Sequence, residues 1–234
     1  MGRVLRVPLR DDGLRGRAEA WVAAGSSEGV VPRPAATVML VRDADAGPEV
    51  YVQRRVATMA FAPSMVVFPG GRVDPGDHSL DVTTDGLADL AAHMGFGVAE
   101  AAPFAAAAVR EVEEECGVRV SVADLRGRGH WVTPAFEPRR YDTWILAAGM
   151  PAGQDARETS GESDGGGWAR AEALLDAAAS GSTRLMPPQV WALEALAGFA
   201  DAASFLADRP RIARVTPVLE QDPDGTLVLV TELP

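Results

Sequence analysis

Two periodicities divide the chain into strands and helices. Apolar residues crowd "TVMLV" (37–41) and partly alternate in "EVYVQRR" (49–55), which predicts two strands joined by the turn-rich "RDADAGP". "MVVF" (65–68) reads as a third short strand. "VRVSV" (118–122) and "RRYDTWILAA" (139–148) are expected to be strands too, and "RIARVTPVLEQDPDGTLVLVTEL" two more around an Asp-Gly turn. The helical period governs three stretches. "PFAAAAVREVEEECG" (103–117) has Pro in its first turn, alanines through its middle and Gly at its C-terminal cap. "WARAEALLDAAASG" (168–181) predicts a short helix, and "PPQVWALEALAGFADAASFLA" (187–207) one long, largely buried helix. Residues 78–102 read as a loop carrying one short helix, and 153–167 as loop. Residues 1–34, charged and then rich in Gly, Ser and Pro, read as an N-terminal arm. Strands and helices alternate irregularly, with hairpins, which favours an α/β/α sandwich around a mixed central sheet over a doubly wound one.

Composition narrows the class. The 234 residues fit one domain with extensions or two small ones, and 47% hydrophobic residues supply a normal core. No apolar run approaches a membrane span, and "MGRVLRVPLRDDG" has no continuous apolar stretch of the kind a secretory signal needs, so a cytoplasmic protein is expected. One cysteine, Cys116, excludes an intramolecular disulfide and a multi-cysteine metal site. A formal charge of −11 argues against nucleic acid or an anionic membrane as partner. All 22 basic side chains are arginine, and without lysine neither a Schiff base nor a P-loop can form.

The helix at 103–116 carries the candidate chemistry. Glu111, Glu114 and Glu115 stand at i, i+3 and i+4, so their carboxylates share one face. Such a cluster reads either as a solvated acidic face or as a binding site. Phe104, Ala108, Val109 and Val112 make the opposite face apolar, so the helix is docked with its glutamates aimed one way. Clustered carboxylates suit a hard cation such as Mg²⁺, which would also reconcile an acidic protein with a phosphate-rich substrate. "FPGGRVDPGD" (68–77) is the second dense motif, five Gly and Pro positions set among charges.

"REVEEECGV" (110–118) matches the second half of the Nudix box, R-E-U-x-E-E-x-G-U with U aliphatic, at every fixed position. "GRVDPGD" (71–77) resembles its first half, G-x5-E, with Asp77 where the family has Glu; the role of that shorter carboxylate is left open. The family separates the halves by seven residues, whereas here 78–109 intervene, so 78–102 reads as an insertion at a loop. A lengthening of that size costs only about 1 kcal/mol in closure entropy. The resemblance implies a Nudix-type sandwich spanning 35–181, with 182–234 as a C-terminal helix and β-hairpin packed on the same domain. It implies a hydrolase that uses Mg²⁺ or Mn²⁺ to cleave a diphosphate linked to another moiety. Glu114 and Glu115 would be metal ligands, Glu111 a ligand or the general base, and Arg110 would orient the glutamates. A backbone carbonyl of Gly70 or Gly71 would complete the metal's ligands. A further acidic ligand is drawn from a distant loop in some members, for which Glu162 and Glu137 are the candidates.

"FPGG" with Arg55 upstream, the interrupted box, and the later "RRYDTW" and "LMPPQ" resemble the coenzyme A diphosphatases. That type carries a second arginine where this chain has Ala60 and a glycine where it has Ser64. Coenzyme A or an acyl derivative, ADP-ribose and NADH are the substrates considered, with a non-catalytic nucleotide-binding or interaction module as the rival of another class. Arg55, Arg72, Arg139 and Arg140 are the candidate phosphate grips, and Trp131, Trp144 and Trp168 could stack on a base or fill the core. The N-terminal arm and C-terminal hairpin could mediate a homodimer.

Overall fold

The computed structural model describes residues 3–9, 11–25, 29–58, 63–161 and 163–233. The chain divides into two compact units. The larger comprises 35–129 and 144–210, and the smaller the described parts of 1–34 and 211–234 together with 130–143.

The main sheet is built on strands β2 (Arg33–Ala44), β3 (Gly47–Arg55), β4 (Val66–Val67), β6 (Arg126–Val132) and β7 (Tyr141–Gly149), in the order β4-β3-β2-β7-β6. Two further strands join its margins: β5 (Gly70–Arg72) pairs with β2, and β8 (Ser163–Arg170) with β3. Val38, Met39, Leu40 and Val41 of β2 are fully buried, as a strand covered on both faces requires. The helices are α2 (Leu87–Met94), α3 (Val98–Cys116), α4 (Ala171–Ala179), α5 (Pro187–Ala197) and α6 (Ala202–Ala207). Helix α3 packs against β5 and against a 3-10 turn at Pro75–Ser79, while α4 and α6 pack against β3. The architecture is the mixed α/β sandwich expected from the sequence, and 78–102 does carry one short helix, α2.

Four predicted elements take a different form. Helix α3 starts at Val98, five residues before Pro103, which lies inside it. Ala101, Ala102, Pro103 and Ala105 are all buried, and that packing offsets the hydrogen bond Pro103 cannot make. Residues 118–122 are not a strand. Val118, Val120 and Val122 do alternate inward, but the backbone of Arg119 bonds the amide of Gln154 (N–H to Oε1 2.8 Å, O from Nε2 2.9 Å) instead of a ladder. The 187–207 stretch is two helices, because the chain turns after Gly198 and Asp201 caps α6 by accepting from the Ser204 N–H at 2.6 Å. The glycine-rich end of the 153–167 segment is the start of β8: the Tyr51 hydroxyl sits 2.2 Å from where a Cβ of Gly166 would be, so only glycine lets the two strands pair there.

In the smaller unit, 1–34 is more than an arm. Strand β1 (Arg3–Pro8) pairs antiparallel with β11 (Leu227–Leu233), which pairs with β10 (Val218–Gln221) around the expected Asp-Gly turn. Helix α1 (Asp12–Ala23) is capped by Asp11 and contributes Leu14, Ala18 and Trp21 to a small core with Leu9, Phe136, Leu219, Leu227 and Leu229. A short β9 (Arg214–Val215) runs parallel to His130 and Trp131.

Candidate active site

The two halves of the box meet in the larger unit, 33 positions apart in sequence. Asp77 and Arg110 form a two-pronged ion pair, Nε to Oδ1 at 3.1 Å and Nη2 to Oδ2 at 2.9 Å. The Asp77 side chain is 6% exposed and that of Arg110 26%. Burial alone would raise the Asp77 pKa, but the Arg110 hydrogen bonds and the Asp74 N–H outweigh it and hold the carboxyl below its ordinary value. Hydrogen bonds to Asp77 first, and to Glu111 after it, push the Arg110 guanidinium up against the opposing effect of burial. Its Nη2 also donates to the Arg72 carbonyl at 3.0 Å, so one side chain ties the opening motif to the glutamate helix.

Arg110 faces the glutamates as well. Its Nη1 donates to Glu111 Oε1 at 2.8 Å and to Glu114 Oε2 at 3.0 Å. Glu115, 6% exposed, accepts the Gly70 N–H on Oε2 at 2.9 Å. The glycines of "PGG" are explained by these contacts. A Cβ on Gly71 would fall 2.1 Å from Glu111 Oε1, and one on Gly70 (φ 152°) would fall 2.4 Å from the Ala36 carbonyl.

The C-terminal end of α3 is buttressed from two sides. Gln53, 1% exposed, donates to the Glu115 carbonyl at 3.0 Å. From the 153–161 loop, the Arg157 N–H reaches the Cys116 carbonyl (3.1 Å), the Thr159 N–H the Glu115 carbonyl (3.1 Å) and the Thr159 hydroxyl the Glu114 carbonyl (2.6 Å). These residues hold the backbone of the glutamates and were missed at the sequence level, because a Thr or Gln that serves a helix end carries no motif. Cys116 is buried, and burial pushes its thiol pKa up, as an inert core residue requires. Burial likewise raises the Tyr51 hydroxyl to about 12.

The other candidates scatter. Glu162 lies outside the described residues. Glu137 belongs to the smaller unit, where Arg17 grips both its oxygens at 3.0 and 2.9 Å. Arg72, half exposed, lies 3.9 Å from Asp74. The backbone of Arg55 holds 64–65, its N–H on the Met65 carbonyl and its carbonyl on the Ser64 N–H. Arg139 and Arg140 lie in the smaller unit, and Arg140 is spent on the Thr133 and Val30 carbonyls at 3.0 and 2.8 Å. Trp131 and Trp144 are core residues, while Trp168 packs edge-on to Tyr51 with the Arg42 guanidinium 4.2 Å over its ring.

Among the described residues no three acidic, His or Cys side chains already stand in a metal-holding cluster. The chemistry of the donors nevertheless fits a hard divalent cation: the side-chain donors are carboxylate oxygens, and one positive nitrogen already bridges Glu111 and Glu114.

The fold built around this box is that of the Nudix hydrolases. The chain superposes on the crystal structure of a NUDIX hydrolase from Alicyclobacillus acidocaldarius with a TM-score of 0.64 and 24% identity, over 77% of this chain and 97% of that one. Weaker likenesses include a MutT NUDIX hydrolase from Burkholderia pseudomallei (TM-score 0.48, 18% identity, 70% and 98% covered). No family model matches the sequence, and no curated protein does.

Proposed function

We propose that this protein is a divalent-metal-dependent hydrolase that cleaves the diphosphate of a nucleoside diphosphate linked to another moiety. The observation that carries the reading is the joining of the box: Arg110, bound through both prongs to Asp77, presents Glu111 and Glu114 on the same guanidinium. Glu111, Glu114 and Glu115 would hold the metal with the Gly70–Gly71 backbone, and a bound Mg²⁺ or Mn²⁺ would neutralise charge on the diphosphate. Arg110 sets the carboxylate geometry. Glu111, fixed against the backbone of Gly71, is the general base that takes the proton of the attacking water. Asp77 supplies the role the longer glutamate has in the family, because the 3-10 turn at Pro75–Ser79 brings its carboxylate up to Arg110.

Coenzyme A or an acyl derivative is the substrate favoured within that class. Supporting it, Ser64 has φ 56°, the left-handed backbone that suits the glycine the coenzyme A type carries there. Incubation of coenzyme A, ADP-ribose and NADH with Mg²⁺ or Mn²⁺, with products identified by mass, tests this. Release of 3′,5′-ADP from coenzyme A is expected, abolished by EDTA. AMP from ADP-ribose with coenzyme A left intact would overturn the coenzyme A assignment. Nucleotide binding without any product would overturn the enzyme reading in favour of a binding module.

A further inference from the structure

A second polar centre in the larger unit has no part in the box. Arg128 of β6 is 4% exposed. Its Nη1 donates to the Phe205 and Asp208 carbonyls at 3.1 and 3.0 Å, and its Nη2 to Asp208 Oδ2 at 3.2 Å. A guanidinium has five N–H donors, and these bonds use three. The Phe205 ring stacks 4.0 Å from the guanidinium carbon, with Phe199 at 5.9 Å.

Beside Arg128 lies a cavity of about 150 Å³ whose other walls are mainly Met39, Trp191, Ala195, Phe199 and Phe205. Trp191 can lie flat on β6 because residue 129 is glycine; a Cβ there would meet the indole at 2.6 Å. The Asp208–Pro210 side of the cavity is held by α2, the helix of the box insertion. The His93 Nε2–H donates to the Pro210 carbonyl at 3.0 Å, and Asp89 pairs with Arg209. The insertion therefore braces a wall of this cavity as well as linking the two halves of the box.

We infer that this cavity is a binding site for a neutral, single-ring aromatic molecule carrying one carbonyl acceptor. An apolar cavity of this volume admits a benzene-sized body. The ring would lie among Trp191, Phe199 and Phe205. The acceptor takes the N–H groups of Arg128 that no described residue uses. Neutrality follows from Asp208, which already balances the Arg128 charge and would repel a second anion.

The test titrates full-length protein with benzamide and with toluene, which keeps the ring and lacks the acceptor, following heat and tryptophan emission. Benzamide is expected to saturate at one per chain, with toluene about tenfold weaker for want of one bond to a charged donor. Ala195→Leu, which fills the cavity, is expected to weaken benzamide at least tenfold while melting like wild type, and Ala192→Val, at another residue lining the cavity, serves as a second filling variant should the first not fold. No saturable binding, toluene as tight as benzamide, or a folded filling variant with unchanged affinity would each overturn the inference.

Discussion

Asp77 is the residue on which sequence and structure differ most usefully. As a letter it is a departure from the family's glutamate. As a side chain it makes the two-pronged pair with Arg110 on which the rest of the box hangs. Asp77→Asn removes that charge from a nearly buried pair. At pH 7 the expected loss is about 2–3 kcal/mol, less than for a fully orphaned ion because Arg110 keeps Glu111 and Glu114. The pH dependence has a definite sign. Because the folded-state pKa lies below the ordinary 3.8, the Asp77 contribution is complete above that value and is lost as pH falls through the folded pKa. The stability gap between wild type and Asp77→Asn in urea should therefore narrow progressively as pH falls below 3.8, and a gap that does not narrow on acidification would refute the ion-pair assignment. Gly71 allows a cleaner separation of site from fold. An added Cβ would displace the Glu111 carboxylate, so Gly71→Ala should lower kcat on the order of 100-fold with little change in melting temperature. Full activity in that variant would show that Glu111 does not work from this position.

At the scale of elements, what was legible was whatever rests on a local period. The glutamate face of α3, the strands at 37–41 and 49–55 and the terminal hairpin all follow from local patterning, and all are present. What stayed hidden depends on partners distant in sequence. The 118–122 stretch has a strand's alternation and no ladder, because Gln154, 35 residues away, takes up the Arg119 backbone. "SDGGGW" has a loop's composition and forms a strand, because Tyr51 fills the space over Gly166. A side chain substituting for a ladder leaves a testable trace. Gln154→Leu strands both backbone groups of Arg119 and is expected to cost about 1–2 kcal/mol, with faster hydrogen exchange at the Arg119 amide. Stability and exchange equal to wild type would mean that water serves those groups equally well.

At the scale of the whole molecule, the sandwich was legible and the smaller unit was not. A charged, Gly- and Pro-rich start reads as an arm, yet β1 completes a sheet with the C-terminal hairpin, a pairing 220 or more positions long that no local pattern encodes. No helix among the described residues is long and apolar enough to cross a membrane. The net charge of −11 bears on function at this scale too. A protein so acidic would attract a diphosphate only where cations gather, and on the function proposed above the Glu111, Glu114 and Glu115 face would hold one. Turnover by Glu114→Gln, beside wild type with saturating Mg²⁺ on whichever substrate the wild type cleaves, tests this most directly. Glutamine keeps the size and the Arg110 contact distance but not the charge. A fall in kcat of at least about 100-fold with an unchanged melting temperature is predicted, and metal-dependent turnover equal to wild type would contradict it.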